Sequence, residues 1–160
     1  MSAKVIIYDK QKEIKITPEI RRLIRKACTA VLKSEHFVGD AQIEVSIVDD
    51  GQIKELNSQY RGIDKSTDVL SFPLGENGEY DINPENGAYM LGDVVISIEH
   101  AIYQAELFGH STDREIAYLT VHSVLHLLGF DHVHSEAERA VMRKHEEAVM
   151  EILGLNLEKV

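Results

Sequence analysis

Residues 111–132, STDREIAYLTVHSVLHLLGFDH, decide the architecture. Thr112 and Glu115 have the spacing of a capping box. Behind them Ile116, Ala117, Leu119, Val121, Val124, Leu125, Leu127 and Leu128 leave almost no polar face before Gly129 ends the run. A helix that is apolar on nearly all sides is stable only when other elements cover it, so this segment is expected to be a central helix packed on several sides.

The covering elements can be read outward from it. Downstream, Ser135 and Glu138 make a second capping box before an amphipathic helix to about Leu153. Upstream, residues 5–8 read as a short strand. Thr17, Pro18 and Glu19 then supply an N-cap, a first-turn proline and an acidic first turn for a helix to about Lys33. Its buried stripe is Ile20, Leu23, Ile24, Ala27 and Val31. Cys28 falls among them, and as the single cysteine it reads as a small core residue. Ile43, Val45 and Ile47 alternate with polar neighbours as in a half-buried strand, Asp49 or Asp50 can cap a short helix to about Tyr60, and residues 68–72 resume a strand. Residues 90–98 form a more continuously apolar strand. This order implies an α+β fold, a mixed sheet covered by helices.

No repeat, low-complexity tract or linker divides the 160 residues, which are expected to be one domain over 1–160. The turn-rich stretch 75–87, GENGEYDINPENG, reads as a loop or lid within it. The N-terminus lacks a charged-then-apolar signal pattern, and no apolar run is long enough to cross a membrane, so a cytoplasmic chain is expected. Seventeen Lys and Arg against 27 Asp and Glu leave a net charge of −10, which argues against broad electrostatic capture of nucleic acid. Action on RNA would need a local basic site or a carrier partner.

His122 and His126, four residues apart on the central helix, lie on one face with Cβ atoms about 6 Å apart, a spacing that suits two imidazoles on one tetrahedral metal. Gly129 can take the left-handed conformation that turns the chain, so that His132 returns as a third ligand. Three neutral imidazoles leave a zinc ion its double charge and one open position, conditions under which bound water ionises near pH 7. One Zn2+ on His122, His126 and His132 is therefore expected, although nitrogen ligands also suit nickel or copper. A single helix histidine more often hydrogen-bonds a neighbour, but three around a helix-ending glycine favour metal. His36, His100, His110, His134 and His145 have no such spacing and read as surface or capping residues. The zinc peptidase pattern places glutamate directly after its first histidine, and here that position is Ser123, which cannot serve as general base.

HSVLHLLGFDH at 122–132 closely resembles the signature of the YbeY family of endoribonucleases, bacterial rRNA maturation factors with three histidines in this spacing and no peptidase glutamate. The resemblance continues through LNSQYRGIDKSTDVLSFP at 56–73, LGDVVISIE at 91–99 and the helix containing Glu138, Met142 and Glu146. Phe130 stands where tyrosine is also common. The resemblance implies a metzincin-like fold with a central metal-binding helix, zinc on the three histidines, and a functional arginine at Arg61. It also implies work on small-subunit rRNA, in 3′-end maturation and ribosome quality control, with the small ribosomal subunit and assembly proteins as partners.

Arg61 has an independent rationale, because an acidic protein needs a fixed cation to hold a phosphodiester and a guanidinium does so with two parallel hydrogen bonds. Lys65 is near enough in sequence to add to a local positive patch, while Asp64 and Asp68 oppose it and can instead fix the loop or orient a histidine. Ser71, Phe72 and Pro73 are expected to shape a groove rim, and Gly92 and Asp93 to play structural parts. The expected activity is metal-dependent cleavage of single-stranded rRNA, with His122 and Arg61 as catalytic residues and Arg61 and Lys65 contacting substrate. Two alternatives stay open. One is a zinc-dependent peptidase or amidohydrolase that borrows a carboxylate from elsewhere. The other is a noncatalytic ribosome-assembly factor in which metal only stabilises the fold.

Overall fold

The alternation in AQIEVSIV puts Ala41, Ile43, Val45 and Ile47 on one side of a strand, all of them buried. A computed structural model, which describes residues 2–131 and 135–156, makes that strand, β2 (Ala41–Val48), an inner member of a four-stranded sheet. β1 (Ala3–Asp9) and β4 (Tyr89–Ser97) flank it in parallel, and β3 (Val69–Pro73) closes the far edge antiparallel to β4, giving the order β1-β2-β4-β3. The sheet is mixed, as expected.

Five helices cover it: α1 (Pro18–Ser34), α2 (Asp50–Arg61), α3 (Ile98–Phe108), α4 (Thr112–Leu127) and α5 (Glu136–Ile152). α4 packs on α1, α3, α5 and two strands, which is why its apolar residues run all round. The main core lies between the sheet and α1, α4 and α5, whereas a smaller cluster of Val48, Ile53, Leu70 and Val95 lies under α2 on the other face. Cys28 is buried in the main core, and burial pushes its thiol up to about 12, so it is no nucleophile. No helix among the described residues is long and apolar enough to cross a membrane.

Two local expectations need correction. The cap of α4 is Ser111, whose Oγ accepts from Arg114 N at 3.1 Å, one residue before Thr112. Glu115 does not turn back to close a box. It is buried at the α3–α4 corner, where it accepts from Gln104 Nε2 at 2.8 Å and meets His110 Nε2 at 2.7 Å. α3 was not foreseen as a helix. Its N-cap, Ser97, is also the last residue of the apolar β4 run, so no loop separates the strand from it, and Tyr103, Leu107 and Phe108 on its exposed side blur its amphipathic pattern.

Gly92 has a structural part, as expected. It follows an irregularity in the β2–β4 register and has φ of 146°. A Cβ there would press on the Phe72 carbonyl oxygen and lie 2.8 Å from Leu127 Cδ2. Gly92→Ala is expected to destabilise the fold by about 2–4 kcal/mol, read as a lower urea midpoint, because overpacking adds to backbone strain.

On the α2 face, Glu44 and Asp93 are cross-strand partners. Burial, reinforced by the neighbouring Glu44, holds the Asp93 carboxyl above its usual range. The native state thus binds this proton more tightly than the unfolded chain. The associated stability is full below about pH 4, the unfolded value, and is lost as pH rises through the higher native one. Asp93→Asn escapes that loss. It should be more stable than wild type at pH 7 by about 0.2–1 kcal/mol, an advantage that shrinks in thermal melts below pH 4.

Candidate active site

The flank of α4 left open by its neighbours carries His122 and His126, one helical turn apart and each half-buried. Gly129, with φ of 103°, turns the chain after the helix. That turn brings the Phe130 carbonyl back to His126 Nδ1 at 2.7 Å. A carbonyl only accepts, so this nitrogen carries the hydrogen and Nε2 presents its lone pair. On His122, Nδ1 meets Glu146 Oε2 at 2.5 Å. Glu146 is 3% exposed on α5, and Tyr118 donates its hydroxyl to the same carboxylate at 3.2 and 3.3 Å. Burial, then the adjacent Glu146 charge, pushes the Tyr118 phenol up, so it remains a donor.

With both Nδ1 atoms engaged, the two Nε2 atoms converge to 3.1 Å. Two lone pairs that close favour a cation between them. A tetrahedral zinc with nitrogen ligands at about 2.0–2.1 Å separates two of them by about 3.3 Å, so this donor pair fits such an ion. Among the described residues no group of three His, Cys, Asp or Glu is placed to hold a metal. His132, the third member of the expected set, lies outside the described residues, as does His134.

The histidine pair opens onto a cleft of about 740 Å³ whose lining includes Tyr60, Arg61, Asp68, Phe72, His122 and His126. Arg61 is the last residue of α2, which the Asp49–Gln52 capping box starts and Gly62, in the left-handed conformation, ends. Its Nη1 donates to Asn57 Oδ1 at 3.4 Å, and the buried Asn57 donates in turn to the Lys65 carbonyl at 2.9 Å. The structure thus brings Arg61 into the cleft with the histidines. Lys65 supports it through its main chain, while its exposed side chain is not part of the cleft lining.

Asp68 accepts from Val69 N at 2.7 Å and so fixes its own loop. Orienting a histidine falls instead to Glu146, which the sequence reading did not single out for that role. An acid set among Met142, Val149 and Met150 on the buried stripe of an amphipathic helix was the available signal. Ser123, one residue and roughly 100° round the helix from His122, is fully buried with its hydroxyl 2.6 Å from that of Ser71. The position of the peptidase base therefore faces β3, away from the cleft. Ser71 binds the central helix beneath the rim, and Phe72 and Pro73 line it. The stretch 75–87 anchors through Tyr80, whose hydroxyl donates to the Leu127 carbonyl at 2.6 Å. His100, His110 and His145 differ from the expectation of surface or capping residues, since they bond Asp50, Glu115 and Glu35 and tie one segment to another.

A mixed α+β sheet domain with an imidazole pair and a helix-end guanidinium on one cleft is the class of protein that fold and site define. The family model described as Endoribonuclease YbeY matches residues 6–154. The chain is 53% identical over 158 residues to the Endoribonuclease YbeY of Caldicellulosiruptor saccharolyticus, covering 95% of this chain and 98% of the relative. It is 46% identical over 152 residues to that of Desulforamulus reducens, at 95% and 98% coverage. It is also similar to the solution structure of TM1509 from Thermotoga maritima, with TM-score 0.56, 28% identity and 93% and 92% of the two chains covered. The chain belongs to the YbeY endoribonuclease family.

Proposed function

We propose that this chain is a metal-dependent endoribonuclease that cuts single-stranded RNA during rRNA processing in the cytoplasm, with small-subunit rRNA 3′-end maturation and ribosome quality control as its tasks. The carrying observation is the convergence of His122 and His126 Nε2 at 3.1 Å on the cleft that also holds Arg61. Family membership supports the RNA substrate. The ion would sit on His122, His126 and His132 in a metzincin-like arrangement, and zinc there supplies Lewis acidity toward a phosphoryl oxygen or a water. A single domain over 1–160 is supported by one main core cluster that draws buried residues from Val5 near the start of the chain to Met150 near its end.

The chain's own residues have distinct tasks. Arg61 offers two parallel N–H donors to the non-bridging oxygens of a phosphodiester, and Asn57 limits the swing of that guanidinium. Lys65, from the loop that Asn57 secures, adds a second cation on the approach. Glu146 and the Phe130 carbonyl fix the tautomer and tilt of the two rings. Ser123 turned into β3 weighs against the usual peptidase arrangement, in which the residue after the first histidine supplies the general base. The net charge of −10 makes free RNA a weak ligand and favours delivery by the small ribosomal subunit or an assembly protein.

The test is cleavage of unprocessed rRNA on small ribosomal subunits by folded wild type, Arg61→Ala and His126→Ala, with and without zinc. Wild-type cleavage restored to metal-stripped protein by zinc is expected, and equal cleavage by all three proteins would remove the reading. Glu146→Gln keeps the volume and loses the charge behind His122. Its zinc affinity is expected to fall about 10–100-fold in competition with a fluorescent chelator, and an unchanged affinity would deny Glu146 that part.

A further inference from the structure

Tyr60 is 61% exposed and directly precedes Arg61 at the end of α2. Its ring meets Phe72 at 5.3 Å between centroids and 67° between planes. Phe72 is half-buried against the cluster under α2, so the exposed Tyr60 ring has a firm backing. The pair forms the wall between the cleft and a second groove of about 560 Å³ on the open side of the sheet. Leu56 and Val95 give that groove an apolar lining, and Glu44, Asp93, Gln52 and Gln59 give it acceptors.

The charges sort what can lie on either side. Glu44, Glu55 and Asp93 outnumber Lys10 around that groove and disfavour a phosphate there, whereas Arg61 attracts one into the cleft against Asp68 and Asp131, so the backbone of a bound strand is placed on the Arg61 side. A nucleobase carries no charge, has a π face for Tyr60 and presents edge N–H donors to carboxylate and amide oxygens. Tyr60 and Arg61 line the same cleft, so a phosphate at Arg61 leaves the base of an adjoining nucleotide within reach of Tyr60.

We infer that Tyr60, braced by Phe72, is a stacking subsite for one unpaired nucleobase of the RNA strand whose phosphate lies at Arg61. The inference rests on the ribonuclease reading. It supplies a reason for single-strand preference that the cleft alone does not, because a paired base has both faces occupied by its neighbours.

The experiment measures binding, by fluorescence anisotropy at low ionic strength, of 2′-O-methyl oligonucleotides whose intactness is checked on a denaturing gel after each titration. One series is intact and the other has an abasic site moved along the strand. Wild type should bind the intact strand about 10-fold more tightly than the strand abasic at one particular position. Tyr60→Ala should lose that factor on the intact strand and change nothing on the abasic one, while Tyr60→Phe keeps it. Arg61→Ala should weaken both strands alike. Equal weakening of both strands by Tyr60→Ala, or none on either, overturns the subsite even while wild type still cleaves single-stranded RNA. Failure of wild type both to bind any of these strands and to cleave rRNA on small ribosomal subunits overturns the subsite together with the ribonuclease reading.

Discussion

His126→Ala is expected to lower the rate of RNA cleavage about a thousand-fold and to abolish tight zinc binding. The loss corresponds to about 4 kcal/mol of transition-state stabilisation, within the range a catalytic metal supplies. His126 contributes one of the two Nε2 atoms that converge at 3.1 Å, and its removal leaves the His122 ring without that counterpart. The structural cost is small by comparison. The side chain is half-buried, and its hydrogen bond to the Phe130 carbonyl is worth about 0.5–1.5 kcal/mol. The variant should therefore remain folded by circular dichroism while its metal content and cleavage rate collapse together, and excess zinc should not restore them. A folded His126→Ala protein that retains both zinc and activity would show that the ion, or the chemistry, resides elsewhere.

Arg61→Ala should reduce cleavage about 10²–10³-fold with metal content unchanged, the scale found when a preorganised donor to a developing negative charge is removed. The separation of activity from metal content distinguishes this effect from the previous one. Arg61 ends α2 at a left-handed glycine cap and is steadied by Asn57, so its reorganisation on binding phosphate is limited. Arg61→Lys should recover only part of the loss, because an ammonium is a point charge without the guanidinium fork. Wild-type rates in Arg61→Ala, measured on the same small-subunit substrate, would move the phosphate grip to another residue.

Much of this molecule is local in origin and so was legible in the chain. The alternation in β2 foretells its buried face. Thr17 and Pro18 mark the start of α1, Gly129 the end of α4, and the four-residue spacing of His122 and His126 their common face, since each depends on contacts within a turn or two. Even there the register could slip. Ser111 and Thr112 are both competent caps, and choosing between them depends on Glu115 being drawn into the α3–α4 corner by Gln104 and His110.

What the tertiary structure alone decided are relations between residues far apart in the chain. Glu146 stands behind His122 across 24 residues of sequence, and Ser71 meets Ser123 across 52, so no periodicity encodes either pair. Tyr60 finds Phe72 only because β3 runs antiparallel along the outer edge of β4, beside the end of α2. Local patterns register which face of an element must be buried, because burial is a property of each residue with its near neighbours. Which partner covers that face, and which polar groups meet there, is settled by packing the whole chain at once. The residue types and spacing of the histidine pair were therefore legible from sequence, whereas the orientation of its rings and the aromatic wall of its cleft belong to the fold.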